Sequence, residues 1–158
     1  MKRKKIIRVL IVLVVAGALI GVGAGLYMFF MPQRNVQNLP VDFQVTASDL
    51  TEEFLNDITR ANQKYLSADG ESKILEVTGK VARISENFNG EKVVLLKGDN
   101  DKAGVSATFT EETNYSVNGL EPGDVVTIKG VIRSGAYYDQ DLDMFVNVTV
   151  EKSDIINL

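Results

Sequence analysis

The side chains best placed to do chemistry in this sequence are phenols, carboxylates and one phenylalanine, all gathered in turns. Tyr137, Tyr138, Asp139, Gln140 and Asp141 put two phenols beside two carboxylates, and Asp143 continues the alternate spacing of acids. Alternating acids can collect oxygen ligands around calcium. The twelve-residue loop that does so needs glycine at its sixth position and glutamate at its twelfth. Counted from Asp139, those positions hold Met144 and Val150, so the pattern fails. Asp99, Asp101 and Gly104 imitate the same loop, with Thr110 in twelfth place. Both sets read as solvated turn acids, and no metal is expected. The aromatics are stronger candidates. Phe88 in one turn and Tyr137 and Tyr138 in another can stack on a base or a sugar. Amphipathic rings also pack on the rim of a domain. The candidate binding residues are therefore Phe88, Tyr137, Tyr138, Asp139 and Asp141.

What is missing excludes more than what is present suggests. The chain has no histidine and no cysteine. The usual zinc, copper and haem ligands are therefore absent, and no cofactor is expected. A Ser-His-Asp or Cys-His hydrolase is excluded, since the commonest general base is lacking. No disulfide can form in any compartment. A hydrolase working with carboxylates alone needs a close pair of them. A barrel-face acid such as Glu76 would have to be buried and paired to serve, and no pattern in the sequence asks for that. The expectation is a protein that binds rather than catalyses.

The elements that must carry these turns can be read from periodicity. Residues 32–47, with Pro32, Asn35, Asn38 and Pro40, read as a linker. Ser48 suits a helix N-cap, and Asp49, Glu52 and Glu53 suit the first turn. Leu50, Phe54, Ile58, Ala61 and Tyr65 recur at helical spacing, so one amphipathic helix is expected up to the turn at Asp69-Gly70. From Lys73 the period becomes two. Leu75, Val77, Gly79 and Val81 alternate with polar residues, and Ile84 breaks the phase as a bulge would. Asn89-Gly90 joins this strand to residues 93–96. Val105, Ala107 and Phe109 form a third strand, with Ser106, Thr108 and Thr110 on its other face. A loop or single helical turn covers residues 111–120. Val126, Ile128, Gly130 and Ile132 form a fourth strand, and Met144, Val146, Val148 and Val150 a fifth.

Five strands, a long bent first one and an excursion between the third and fourth predict an all-β domain with α additions: a five-stranded OB-fold-like barrel at residues 48–158, preceded by one amphipathic helix. An antiparallel sandwich is the alternative. Gly79 and Gly130 are expected where strands coil sharply. The spacing of several residues also carries a resemblance. Asn62-x-Lys64-Tyr65-Leu66 precedes Leu75-x-Val77-x-Gly79-x-Val81-x-x-Ile84, and Gly123-Asp124-x-Val126-x-Ile128-x-Gly130 follows. This resembles the tRNA_anti-like family of bacterial envelope OB-fold domains, over about residues 49–156. The chain departs from that pattern at residues 67–72, which look inserted, and in lacking the cysteines of many relatives. The resemblance implies a fold and a bacterial envelope setting. It implies no RNA binding, because one fold hosts many functions.

Location is the clearest reading. Residues 9–31 are uncharged and follow Lys2, Arg3, Lys4, Lys5 and Arg8. About 20 apolar residues cross a bilayer as a helix. The basic flank at residues 1–8 predicts a single-pass protein of the cytoplasmic membrane, N-terminus inside and domain outside. Cleavage after Val22-Gly23-Ala24 as a signal peptide is the competing reading, and the apolar run continues well past it. Gly17, Gly21 and Gly25 at four-residue spacing predict close pairing of two such helices, hence a homodimer. Setting aside the five leading basic residues, the rest carries 12 Lys and Arg against 21 Asp and Glu, a net charge of −9. So acidic a domain repels phosphate backbones, which argues against nucleic acid and for a protein or other envelope partner.

Overall fold

The structure is a computed structural model that describes residues 2–29, 35–69 and 71–157, arranged as two units divided between Arg34 and Asn35. The first unit is a single helix, α1 (Lys2–Phe29). Its described side chains run from Leu13 to Tyr27, and Leu13, Val14, Leu19, Ile20, Val22, Leu26 and Tyr27 are all exposed. Among the described residues, no helix is long and apolar enough to cross a membrane. Residues 30–34, and the end of the expected span with them, lie outside the described residues.

The second unit is a closed barrel. After a 3-10 turn (Val36–Asn38) come β1 (Phe43–Thr46), α2 (Ala47–Asn56), α3 (Ile58–Tyr65) and the long strand β2 (Ile74–Glu86). The hairpin partner β3 (Lys92–Leu96) and then β4 (Val105–Phe109) follow. A 3-10 turn (Asn114–Val117) leads to β5 (Val125–Ser134), the short hairpin β6 (Tyr137–Asp139) and β7 (Met144–Val146), and finally β8 (Val148–Asn157). The main sheet runs β1-β2-β3-β4-β8-β5, and β2 also pairs with β5, which closes five strands into a ring. β4 and β8 are parallel and the other barrel pairs antiparallel. This is the expected OB-type barrel rather than a sandwich.

The ring closes because β2 bends. Its first half pairs with β5 and its second half with β3, and the register slips between Val81 and Arg83. That slip is the bulge which the phase break at Ile84 predicts. Leu75, Val77, Val81, Val94, Leu96, Val105, Phe109, Ile128 and Ile132 fill the inside. Gly130 admits the crossing strand: a Cβ there would sit 2.5 Å from Val150 Cγ1 and 2.9 Å from the Glu151 carbonyl.

Three expectations need correction. Most of the expected linker belongs to the fold. β1 pairs in parallel with β2, and Val36 packs with Ile74 and Val131 in a small second cluster. Its few apolar residues carry that role, and they are too sparse to show as a period. The single helix is two, because Asp57 leaves helical geometry and caps the second with its own carboxylate, Oδ1 accepting from the Arg60 amide at 3.0 Å. The first N-cap is Thr46 rather than Ser48. Finally, the fifth strand is not one run of residues 144–150. Met144 and Val146 belong to the β6–β7 hairpin, while the barrel strand begins at Val148.

Candidate functional site

Strands β3 and β4 alternate, and one set of side chains goes inward. The other set forms the outer face: Val93 and Leu95 from β3, Ser106 and Thr108 from β4, all half-buried. Register sets them in rows. Ser85, Val93 and Thr108 are cross-strand neighbours, as are Arg83, Leu95, Ser106 and Thr149. The result is an apolar and hydroxyl surface with Arg83 at its side and Lys97 beyond Leu95 at its end. Ser106 and Thr108 stand where the alternation of β4 predicts. Thr110 does not join them, since its amide turns back to Thr113 Oγ1 at 2.9 Å. Arg83 was not foreseen as part of this surface, because the bulge shifts the phase just before it.

The two aromatic loops flank this face at opposite ends. The loop 87–91 meets the Lys92 end of β3. Asn87 Oδ1 accepts from the amides of Asn89 and Glu91, at 2.9 and 3.1 Å, which holds the turn and leaves Phe88 fully exposed at its tip. The β6–β7 hairpin stands at the other end. Asn147 Oδ1 accepts from the Gly104 amide at 2.8 Å, and the Val148 amide donates to the Gly104 carbonyl at 2.9 Å. A five-residue strand at ~3.3 Å per residue puts these ends about 15 Å apart. Phe88 therefore does not share one pocket with Tyr137 and Tyr138. They bracket an extended surface.

The hairpin itself has two faces. Tyr138 and Phe145 are register partners whose rings lie 5.0 Å apart, with Lys102 Nζ 5.8 Å from the Phe145 ring. The Tyr138 hydroxyl donates to Asp143 Oδ1, and that carboxylate pushes the phenol above its ordinary range. On the other face are Tyr137 with Val146 and Asp139 with Met144. Asp139 is committed to the turn, its Oδ1 accepting from the amides of Asp141 and Leu142 at 2.9 and 3.1 Å. Asp141 is exposed. No group of three or more metal-binding side chains occurs among the described residues. On α1, a Cβ added at Gly17, Gly21 or Gly25 meets nothing within 4 Å, so the glycine ridge stands open.

The Lys64-Tyr65 pair of the quoted motif has a separate task. Lys64 Nζ bonds both Glu53 oxygens at 3.0 and 2.8 Å and lies 4.6 Å from the Tyr65 ring and 5.4 Å from the Phe43 ring. The Tyr65 hydroxyl donates to the same Glu53 at 3.1 Å. The Glu53 bond raises the Lys64 pKa, and burial raises that of Tyr65. This network ties α3 to α2 and β1. Glu53 and Lys64 also line an open cleft with Asn56, Asp57, Arg60 and Ala61.

Comparison with known proteins agrees with the architecture. Among curated proteins none matches the chain. A crystal structure from Klebsiella pneumoniae subsp. pneumoniae MGH 78578, described as a “putative nucleic acid-binding lipoprotein”, shares 18% identity with a TM-score of 0.54. That similarity covers 75% of this chain and 100% of the other. At that identity the likeness concerns the fold. The model of the tRNA_anti-like family matches residues 1–141, well over half of the sequence, and the chain belongs to the tRNA_anti-like family.

Proposed function

We propose that this protein is a membrane-anchored, non-catalytic binding module whose OB-type barrel works outside the cytoplasm and takes an envelope partner across β3 and β4. The observation that carries the reading is the outer face itself. It is apolar and hydroxyl-rich, has only Arg83 and Lys97 as cations beside it among the described residues, and has exposed aromatic rings at both ends. Such a surface suits noncovalent contact, and a single-strand binder would need a positively charged groove beside its rings. The test is a photoreactive residue in place of Val93 in the full-length chain in its own membrane. One dominant protein adduct, lost on Leu95→Arg, is expected. Absence of any specific adduct would falsify the proposal.

The anchor is supported by residues 9–31 and by the exposure of every apolar α1 side chain described. The neighbour's description as a lipoprotein is in keeping with a membrane setting, although this chain has no cysteine to lipidate. The chain should resist carbonate extraction, with the barrel open to protease from outside only. Mature protein beginning at Gly25 would overturn the anchor. The open glycine ridge supports homodimerisation. Crosslinking in membranes should then show a dimer that Gly21→Ile removes, and an identical monomer signal in both would end that idea.

A second reading is single-strand or oligosaccharide binding, favoured by Arg83 beside the face, by exposed Phe88 and by the description of the structural neighbour. Filter binding at low salt decides it: retention of an oligonucleotide, lost on Arg83→Gln, would displace the first reading.

A further inference from the structure

The β6–β7 hairpin is the part of the barrel's surface that the fold explains least. It forms a separate two-stranded sheet and, among the described residues, pairs with no barrel strand. Tyr137 with Val146 and Asp139 with Met144 share one of its faces. Tyr137 is 42% exposed, Met144 51% and Leu142, in the connecting loop, 67%. A short hairpin that leaves a tyrosine, a methionine and a leucine in water gains little stability from them. Exposed apolar groups clustered in this way mark interaction sites.

The rim gives the sign of the partner. Asp139 lies on this apolar face and Asp141 in the loop at its end, while the Asp143 carboxylate turns to Tyr138 on the other face; none of the three makes an ion pair among the described residues. The bonds they do make are to amides and to a phenol, which neutralise no charge. Elsewhere on the barrel Glu53 pairs with Lys64, Asp99 with Lys80 and Glu151 with Arg133. Carboxylates without an ion pair at the tip of a hairpin that exposes apolar side chains complement a segment with the opposite charge.

We infer that the β6–β7 hairpin docks a cationic, apolar polypeptide segment of a partner protein, with apolar side chains against Tyr137, Leu142 and Met144 and lysine or arginine against the aspartates. The inference rests on the binding-module reading and names the class of partner. The area is small, so the contact belongs with transient interfaces and weakens as salt screens the rim.

The test uses the full-length chain in zwitterionic nanodiscs, with empty discs subtracted. Three fluorescent twelve-residue peptides serve as probes: lysine with leucine, lysine with serine, and glutamate with leucine. The lysine–leucine peptide should bind, the other two at least tenfold more weakly, and raising NaCl from 50 to 300 mM should reduce the binding. Leu142→Ser with Met144→Ser, and separately Asp141→Asn with Asp143→Asn, should each weaken it at least fivefold. Both pairs spare Asp139, which holds the turn, and asparagine tolerates the φ of 50° at Asp143. Unchanged melting curves show that the barrel is intact in each variant. Glu111→Gln with Glu112→Gln removes equal charge elsewhere and should have no effect. Equal weakening by that control would mean general acidity and overturn the inference, as would no binding, or binding indifferent to the hairpin changes. An oligonucleotide or a second copy of the chain bound through the hairpin would overturn it too. Adducts formed from position 93 in the hairpin variants separate the two claims. If they persist while the peptide results fail, the module reading stands and the cationic partner falls.

Discussion

At the scale of single residues, two glycines and one lysine show how packing sets the tolerance of this domain. Gly130 is where β5 crosses β8, and a Cβ there would meet the Glu151 carbonyl at 2.9 Å. A main-chain oxygen cannot step aside as a side-chain tip can. Gly130→Ala should therefore destabilise the barrel by about 1–3 kcal/mol, the usual range for overpacking, read as a lower melting temperature. Gly135→Ala should do the same, since its Cβ would run into the buried Phe54 ring. Alternation on β5 marks Gly130 in the sequence as a barrel position. Gly135 had no such signal, because its constraint comes from a helix about 80 residues earlier in the chain. Lys64 is a pH prediction. Both Lys64 and Tyr65 have raised pKa values, from ordinary values of 10.5 and 10.0, so the folded state holds their protons more tightly than the unfolded state. Their contribution is complete below pH 10 and is lost as pH rises through the folded-state values. Denaturant midpoints should fall above pH 10, and Lys64→Met should flatten the part of that slope belonging to Lys64. An unchanged slope would mean that Lys64 does not feel Glu53 in solution.

At the scale of elements, legibility followed the range of the interactions. Strands β2 to β5 are legible because alternation is written in neighbouring residues, and even the bulge in β2 shows as a broken phase. The helix break is legible only in hindsight. Leu50, Phe54, Ile58, Ala61 and Tyr65 keep a helical spacing through Asp57, yet Asp57 caps a second helix in mid-stripe. An aspartate with its carboxylate on the amide three residues on is doing what N-caps do. Asp57→Ala should cost ~1 kcal/mol, and Asp57→Asn or Ser far less; equal losses for all three would assign the effect to charge instead. The end of the chain was harder. Met144 to Val150 alternates as smoothly as a barrel strand, but residues 144–146 pair with β6 and only those from 148 pair with β4 and β5. Periodicity reports that a segment is extended and is silent on its partner. The candidate site shared that limit. The aromatic residues were visible as types in turns, whereas their placement at opposite ends of one face depended on strand order.

At the scale of the whole molecule, the question is where the folded barrel begins. A proline- and asparagine-bearing stretch at residues 32–47 has the composition of a spacer, and a spacer could be shortened freely. The structure says otherwise for residues from Val36 onward. Val36 is buried against Ile74 and Val131, with Leu39 beside it. Gln37 Nε2 donates to the Lys129 and Lys152 carbonyls at 3.2 and 2.8 Å, and Lys129 Nζ returns bonds to the Gln37 and Leu39 carbonyls at 2.9 and 2.7 Å. The turn is thus clasped from both sides to β5 and β8. A chain of residues 35–158 should melt in one cooperative transition, since the ring and both clusters lie within it. A chain of residues 40–158 keeps β1 and the bond from the Ile74 amide to Asp42, but uncovers Ile74 and Val131. Burying one valine is worth about 1.5–3 kcal/mol, and the ammonium of Lys129 would lose two acceptors as well. The shorter chain should therefore melt several degrees lower, and Val36→Ser in the longer one should reproduce much of that drop. Identical melting of the two chains would restore the spacer reading and detach the 3-10 turn from the barrel's stability.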